Sequence, residues 1–198
     1  MKSFAILSSL LLSGLVSAQD QQSDPFHLVI KSSNPDLDGQ QVSSCHVGAA
    51  IQNVCLLGRD NGATFYFNTT EGSTSPIDGY EPASVLGWDL PAGNETYPLG
   101  MRFYVDPSTN VAQLMFQPSY EVSYITVDQD DNLAVFSNLD DTVTPPKTVD
   151  TYGLHKWYVC ETTYSGYQYK TLNWVVGNAN VEPQNPSCTK IGVHREYI

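Results

Sequence analysis

The sequence predicts an all-β fold, an antiparallel sandwich or barrel of about ten short strands. Three observations point there. Apolar and aromatic residues come in short runs, and no stretch makes a convincing helix. In the clearest run, Tyr167 to Val176, side chains sort by period two better than by helical period. Turn residues punctuate the runs, drawn from 14 Gly, 12 Pro and clustered Asn and Asp. A β-trefoil is the alternative, but the chain shows no clean threefold repeat.

The chain opens as an export leader. Met1-Lys2 is basic, Phe4 to Val16 is apolar, and Val16-Ser17-Ala18 presents small residues for cleavage after Ala18. The expected organisation is a signal peptide over 1–18 and one secreted β domain over 19–198. That domain is 180 residues (198 minus 18), enough for a sizeable core. No later segment is apolar for the length of a membrane span, and no hydrophobic C-terminal tail suggests a lipid anchor. The formal charge is −12, or −13 without Lys2, which argues against nucleic acid and anionic membrane surfaces.

After a polar lead, Phe26 to Ile30 is the first strand, ended by Ser32-Ser33-Asn34-Pro35. Gln41 to Leu57 allows two short strands. Arg59-Asp60-Asn61-Gly62 is a hairpin signal, because Asn-Gly readily takes a type I′ turn. Ala63 to Asn68 follows as a strand. Thr69 to Tyr97 reads as a long loop with one short strand at Val85–Trp88, pinned to the body by Trp88. Met101 to Asp106 and Ala112 to Gln117 are strands joined by Pro107–Asn110. Glu121 to Val127 and Leu133 to Ser137 are strands joined by Asp128–Asn132. Asn138 to Asp150, acidic and rich in Thr and Pro, reads as a crossing. Leu154 to Glu161 and Tyr167 to Val176 form a hairpin, linked by Thr162–Gly166, with Leu172, Trp174 and Val176 on one face.

Four Cys in an exported chain read as two disulfides. Of three connectivities, Cys45–Cys55 and Cys160–Cys188 pair sequence neighbours, and the second would anchor the terminal strand beside the hairpin. A metal site fails on spacing, with no CxxC and scattered His, and no cofactor motif appears. Two sequons, at Asn68 and Asn94, fall where turns are expected and should be exposed. Asn185-Pro186-Ser187 is excluded as a third by its proline.

Few residues point to chemistry. Asp128, Asp130, Asp131 and Asn132 look calcium-like, but Leu139 stands where an EF-hand needs its bidentate Glu, and a hairpin turn explains the cluster. No GxSxG is present. Glu121, Asp128, Asp140 and Glu161 could serve a glycosidase only if two faced each other across a cleft. His46 is the most site-like His. Large aromatics ordinarily supply core, which suits Trp157 and Trp174. Tyr164, Tyr167 and Tyr169, near the turn, and Trp88 in its loop are the candidates for stacking on sugar rings.

Ser44-Cys45-His46-Val47-Gly48-Ala49-Ala50 and the tail from Trp157-Tyr158-Val159-Cys160 through Leu172-Asn173-Trp174 to Asn185-Pro186-Ser187-Cys188, with the leader, carry a resemblance. Together they resemble a family of small secreted fungal proteins of unknown function, distantly similar in layout to phialide-type cell-wall proteins. The resemblance implies an extracellular or wall-associated protein and carries no catalytic residue across. The expectation is a non-enzymatic surface-interaction protein whose partner is a cell-wall polysaccharide or an extracellular protein. A carbohydrate-binding module and an extracellular polysaccharide hydrolase are the alternatives.

Overall fold

A computed structural model describes residues 20–178 and 180–198, so the leader read at 1–18 lies outside the described residues. In chain order the strands are β1 (Asp20–Gln22), β2 (Phe26–Lys31), β3 (Val42–Gly48), β4 (Ile51–Leu56), β5 (Tyr66–Thr70), β6 (Ser84–Ala92), β7 (Glu95–Tyr104) and β8 (Val111–Phe116). They continue with β9 (Tyr124–Val127), β10 (Leu133–Asp140), β11 (Lys147–Leu154), β12 (Trp157–Tyr164), β13 (Tyr167–Val175), β14 (Thr189–Lys190) and β15 (Gly192–Tyr197).

Thirteen of these form one curled antiparallel sheet, a half-barrel with two disulfides. Its order is β11-β10-β9-β6-β7-β8-β4-β13-β12-β14, with β5 and β1 branching from β6 and β3 from β4. The pairing is linear with side branches, not threefold, so the chain takes the barrel-like alternative over the trefoil. Among the described residues, β2 and β15 pair only with each other as regular strands, and this ribbon lies in the concavity. Its Phe26, Leu28, Ile30 and Val193 are fully buried with Leu86, Leu114, Phe116 and Trp157 from the sheet. Each such side chain contributes about 1.5–3 kcal/mol of transfer free energy. Trp157 and Trp174 meet edge to face at 4.8 Å, and both belong to the core as expected.

Several elements differ from the sequence reading. Thr69 to Tyr97 is not a long loop, because β6 and β7 pair from Gly87↔Gly100 out to Ala92↔Glu95. The outer arm of that hairpin is exposed on both faces, so it carries no hydrophobic period. Asn138 to Asp150 is likewise largely strand, since β10 runs on to Asp140 and β11 begins at Lys147. Asn61-Gly62 turns no hairpin. Neither residue has a left-handed φ, the Asn61 amide donates to the Leu57 carbonyl, and the chain crosses from β4 to β5, which do not pair. The run Leu154–Glu161 is broken at His155-Lys156. Lys156 is only 5% exposed, and its ammonium donates to the carbonyls of Gly177 (2.6 Å) and Asn178 (2.7 Å). Burial, and secondarily Lys190, holds its pKa below the usual lysine value.

Both disulfides pair as expected, Cys45–Cys55 across β3 and β4 and Cys160–Cys188 from β12 to the segment before β14. Only Thr189–Lys190 runs beside the hairpin, however; the last apolar run continues into β15 against β2. Asn68 also departs from expectation, lying half-buried within β5 instead of in a turn.

Arg195, on β15, is 5% exposed and joins three segments. Its guanidinium makes a two-pronged contact with Glu81 at 2.9 and 2.6 Å and donates through Nε to Asp131 at 2.9 Å. Its carbon centre lies 4.7 Å from the Tyr197 ring and 5.8 Å from Phe67. Burial pulls its pKa down, but the bonds to Glu81 and Asp131 outweigh that and raise it. Asp131 turns at φ 59°, while Asp128 accepts the amides of Asp130 and Asn132. The calcium-like cluster is therefore a hairpin turn in which the Asp128 carboxylate is bonded within the turn and the Asp131 carboxylate to Arg195.

Two stability predictions follow from these ties. Arg195→Met is expected to cost about 2–4 kcal/mol in denaturant unfolding, below the fully buried limit because both acids reach water. Arg195→Lys should recover less than half of that, since an ammonium cannot reproduce the fork. Separately, Cys160→Ser with Cys188→Ser should cost about 3.6 kcal/mol and Cys45→Ser with Cys55→Ser about 2.7, following the 28- and 10-residue loops. Equal losses would contradict the loop-closure account.

Candidate functional site

β12 and β13 pair through eight residues a side, from Trp157↔Trp174 to Tyr164↔Tyr167. Ser165 and Gly166 close the hairpin at φ 49° and 87°, the two left-handed residues of a I′ turn. The strands thus reach past the link expected at Thr162–Gly166. Directly opposed residues share a face. Near the base, Trp157, Trp174, Val159 and Leu172 point into the core. On the outer face stand Tyr158 and Asn173, Cys160 and Thr171, Thr162 and Tyr169, then Tyr164 and Tyr167.

That outer face turns back over the body of the sheet, and polar side chains hold it. Gln113 on β8 accepts from the Asn53 amide and from the Thr162 hydroxyl (3.3 Å), and donates to the Thr163 carbonyl (3.4 Å). Thr162 and Thr171 share a hydroxyl bond of 2.8 Å, and Asn173 donates to Thr171. Asn53, Thr171 and Asn173 are almost fully buried. At the tip, Tyr164 meets Tyr104 of β7 at 5.3 Å, and Tyr167 meets His46 of β3 at 5.5 Å, both edge to face. The Tyr169 hydroxyl donates to the His46 carbonyl at 3.3 Å.

Two adjoining clefts result, of about 450 and 580 Å³, sharing Glu161, Thr162, Thr163 and Asn185. The first runs past Tyr169 and Lys170 to Ser187. The second is floored by Gln113 and walled by Tyr104, Tyr164 and Asp106. The shared wall is pinned. Asn185 donates to the Glu161 carbonyl and Ser187 accepts the Glu161 amide, each at 2.9 Å, while the Cys160–Cys188 bond holds the segment beside β12. The Ser108 hydroxyl and amide hold Asp106 below the usual carboxylate range.

Of the four aromatic candidates, Tyr169 lines the first cleft and Tyr164 the second, while Tyr167 packs on His46 and lines neither. Trp88 also lines neither cleft. Its half-buried ring sits tilted against Phe116 at 5.9 Å on the core side of the sheet, held there as part of strand β6 and not as the anchor of a loop. Sequence reasoning missed Tyr104, Gln113, Asn185 and Ser187. Asn185-Pro186-Ser187 enters the sequence reading only as an excluded sequon, although Asn followed two residues later by Ser is also a turn signal. Nothing local marks Gln113, whose role depends on a hairpin about 50 residues away.

Gln113→Leu should leave the core intact yet free the distal hairpin. The expected outcome is a loss of about 1–3 kcal/mol, with faster amide exchange concentrated at Thr163–Lys170. Uniform loss of protection across the sheet would contradict the bracing role of Gln113.

A family model described as a domain of unknown function (DUF7907) matches residues 23–197. No curated protein and no solved structure matches the chain. The match takes in nearly all of the described sheet, the ribbon and both clefts, and the chain belongs to the DUF7907 family.

Proposed function

We propose that the chain is an exported, non-enzymatic surface-interaction protein that binds an extracellular polysaccharide in the paired clefts beside β12. One observation carries this reading: Tyr104, Tyr164 and Tyr169 stand around a floor and wall of amides and hydroxyls. A sugar ring has apolar C–H faces and a rim of hydroxyls. It needs aromatic surface and paired donors and acceptors together. Gln113, Thr162, Thr163, Asn185 and Ser187 supply the second kind of group. The clefts share four residues and adjoin along β12, so the furrow they make together offers more lining than a single ring needs, which suits a polymer.

Charge narrows the polymer. Asp106 and Glu161 line the furrow against one cation, Lys170, and the chain is strongly acidic. Neutral or amine-bearing polysaccharides fit this field, and polymers of uronic acids do not. Asp106, held below the usual carboxylate range by Ser108, stays charged and suits accepting hydrogen bonds rather than the proton-donating role of a glycosidase acid. The leader, the two disulfides and the resemblance to secreted wall proteins support export and a cell-wall location.

The test is a pull-down of the mature protein with insoluble chitin, glucan and mannan over a range of salt. Saturable, salt-insensitive binding to one polymer is expected, with Tyr104→Ala and Tyr164→Ala each weakening it about tenfold, or roughly 1.4 kcal/mol. Absence of binding to every polymer would end this reading. Release of soluble sugar would replace it with a hydrolase.

A further inference from the structure

The fold separates the two sequons. Asn94 occupies the two-residue tip of the β6–β7 hairpin, after Gly93. Gly93 takes φ 67° and Asn94 no left-handed φ, the pattern of a II′ turn. Residues 91–98 are all exposed. Asn68 sits instead in mid-strand, paired with Gln22 on one side and Val85 on the other. Its half-buried side chain lines a crevice with Val85, Leu99 and Tyr124, and the hydroxyl of its sequon Thr70 donates to Asp20. A glycan on Asn68 would have to displace these neighbours.

The arm that carries Asn94 also carries an apolar patch. Leu90 and Tyr97 lie directly opposite each other on the arm. With Ala92, Pro98, Ala50 and Pro118 they line a hollow of about 430 Å³ made almost wholly of carbon. Tyr97 is 51% exposed. Along the arm the lining runs from Leu90 to Ala92, two residues before Asn94, and resumes at Tyr97, three residues after it. We propose that Asn94 is the glycosylated sequon and that its glycan lies over this hollow. The first sugar of an N-linked chain is an N-acetylglucosamine. Its apolar ring face and acetyl methyl suit Tyr97 and Pro98, and its hydroxyls remain in water. The attachment point on the same arm selects this occupant over a second protein. The inference rests on the export part of the proposed function and is independent of the sugar-binding furrow.

The full chain is expressed in a eukaryotic secretory host, beside a second version with the host's leader ahead of Gln19. Protein recovered from the medium is weighed before and after enzymatic removal of N-glycans. One glycan is expected, lost in Asn94→Gln and Thr96→Val and kept in Asn68→Gln. Deglycosylation should raise Nile red fluorescence severalfold, and Leu90→Ser with Tyr97→Ser should abolish that rise. An unmodified Asn94, or a glycan kept in Asn94→Gln, overturns the site. A glycan at Asn94 whose removal leaves dye binding unchanged, or dimerises the protein through another face, overturns the covering. Secretion only with the host's leader sinks the export reading, while the second version still decides the Asn94 inference.

Discussion

The guanidinium of Arg195 closes the half-barrel. A curled sheet has a concave apolar face that must be covered, and here a ribbon of only two strands covers it. β2 and β15 fill the concavity with Phe26, Leu28, Ile30 and Val193, yet regular strand pairing joins them only to each other. The links from the ribbon to the rest of the fold include the isolated bridges Phe26↔Phe65, Val29↔Gln41 and Asn132↔His194, and the bonds of Arg195 to Glu81 and Asp131. Burying a cation is costly by itself. Two carboxylates and three aromatic rings around it offset that cost. Because both acids keep contact with water, the arrangement avoids an isolated buried pair and still fixes the ribbon's position.

The other side of the sheet follows a different rule. Where β8, β4 and β13 would present an open surface, the distal hairpin folds back and covers part of it with polar side chains. The Tyr residues accordingly do not form a flat exposed platform. Tyr164 and Tyr167 each spend an edge or a face on Tyr104 and His46, and what remains open is the furrow at their margin. The disulfides serve this layer more than the core. One fixes β3, which carries His46, and the other fixes the Asn185–Ser187 wall.

What could be read in the sequence was whatever depends on neighbours along the chain. Strand runs, the Asp128–Asn132 turn, both Cys pairs and the core Trp pair are local or follow from burial and period. What could not be read depends on partners far away or on exposed strand. The β6–β7 arm is strand by hydrogen bonding alone, with polar and apolar residues exposed alike, so no pattern announces it. Asn61-Gly62 has the chemistry of a hairpin turn, but β4 already pairs with β3, β8 and β13, and the chain must leave for another part of the sheet. Tyr164 and Tyr169, beside the clefts, could be picked out as surface aromatics because they crowd one turn. Gln113 and Asn185 could not, because they gain meaning only when β8 and the 185–188 segment meet β12.

The polar layer beneath the hairpin is a poor choice if stability alone mattered. Asn53, Gln113, Thr171 and Asn173 are buried where Val or Leu would pack without desolvating an amide. Their mutual bonds offset most of that cost, but not all, since Asn53 Oδ1 has no donor among the described residues, a local defect. An all-apolar version would remove the defect and also the furrow, because the Thr162 and Thr163 positions are set through Gln113. The same amides that weaken the layer hold a row of hydroxyls and a tyrosine pair in fixed register at the surface. That fixed register is what a hydroxyl-rich ligand requires, because each donor immobilised in advance is ordering that binding need not supply.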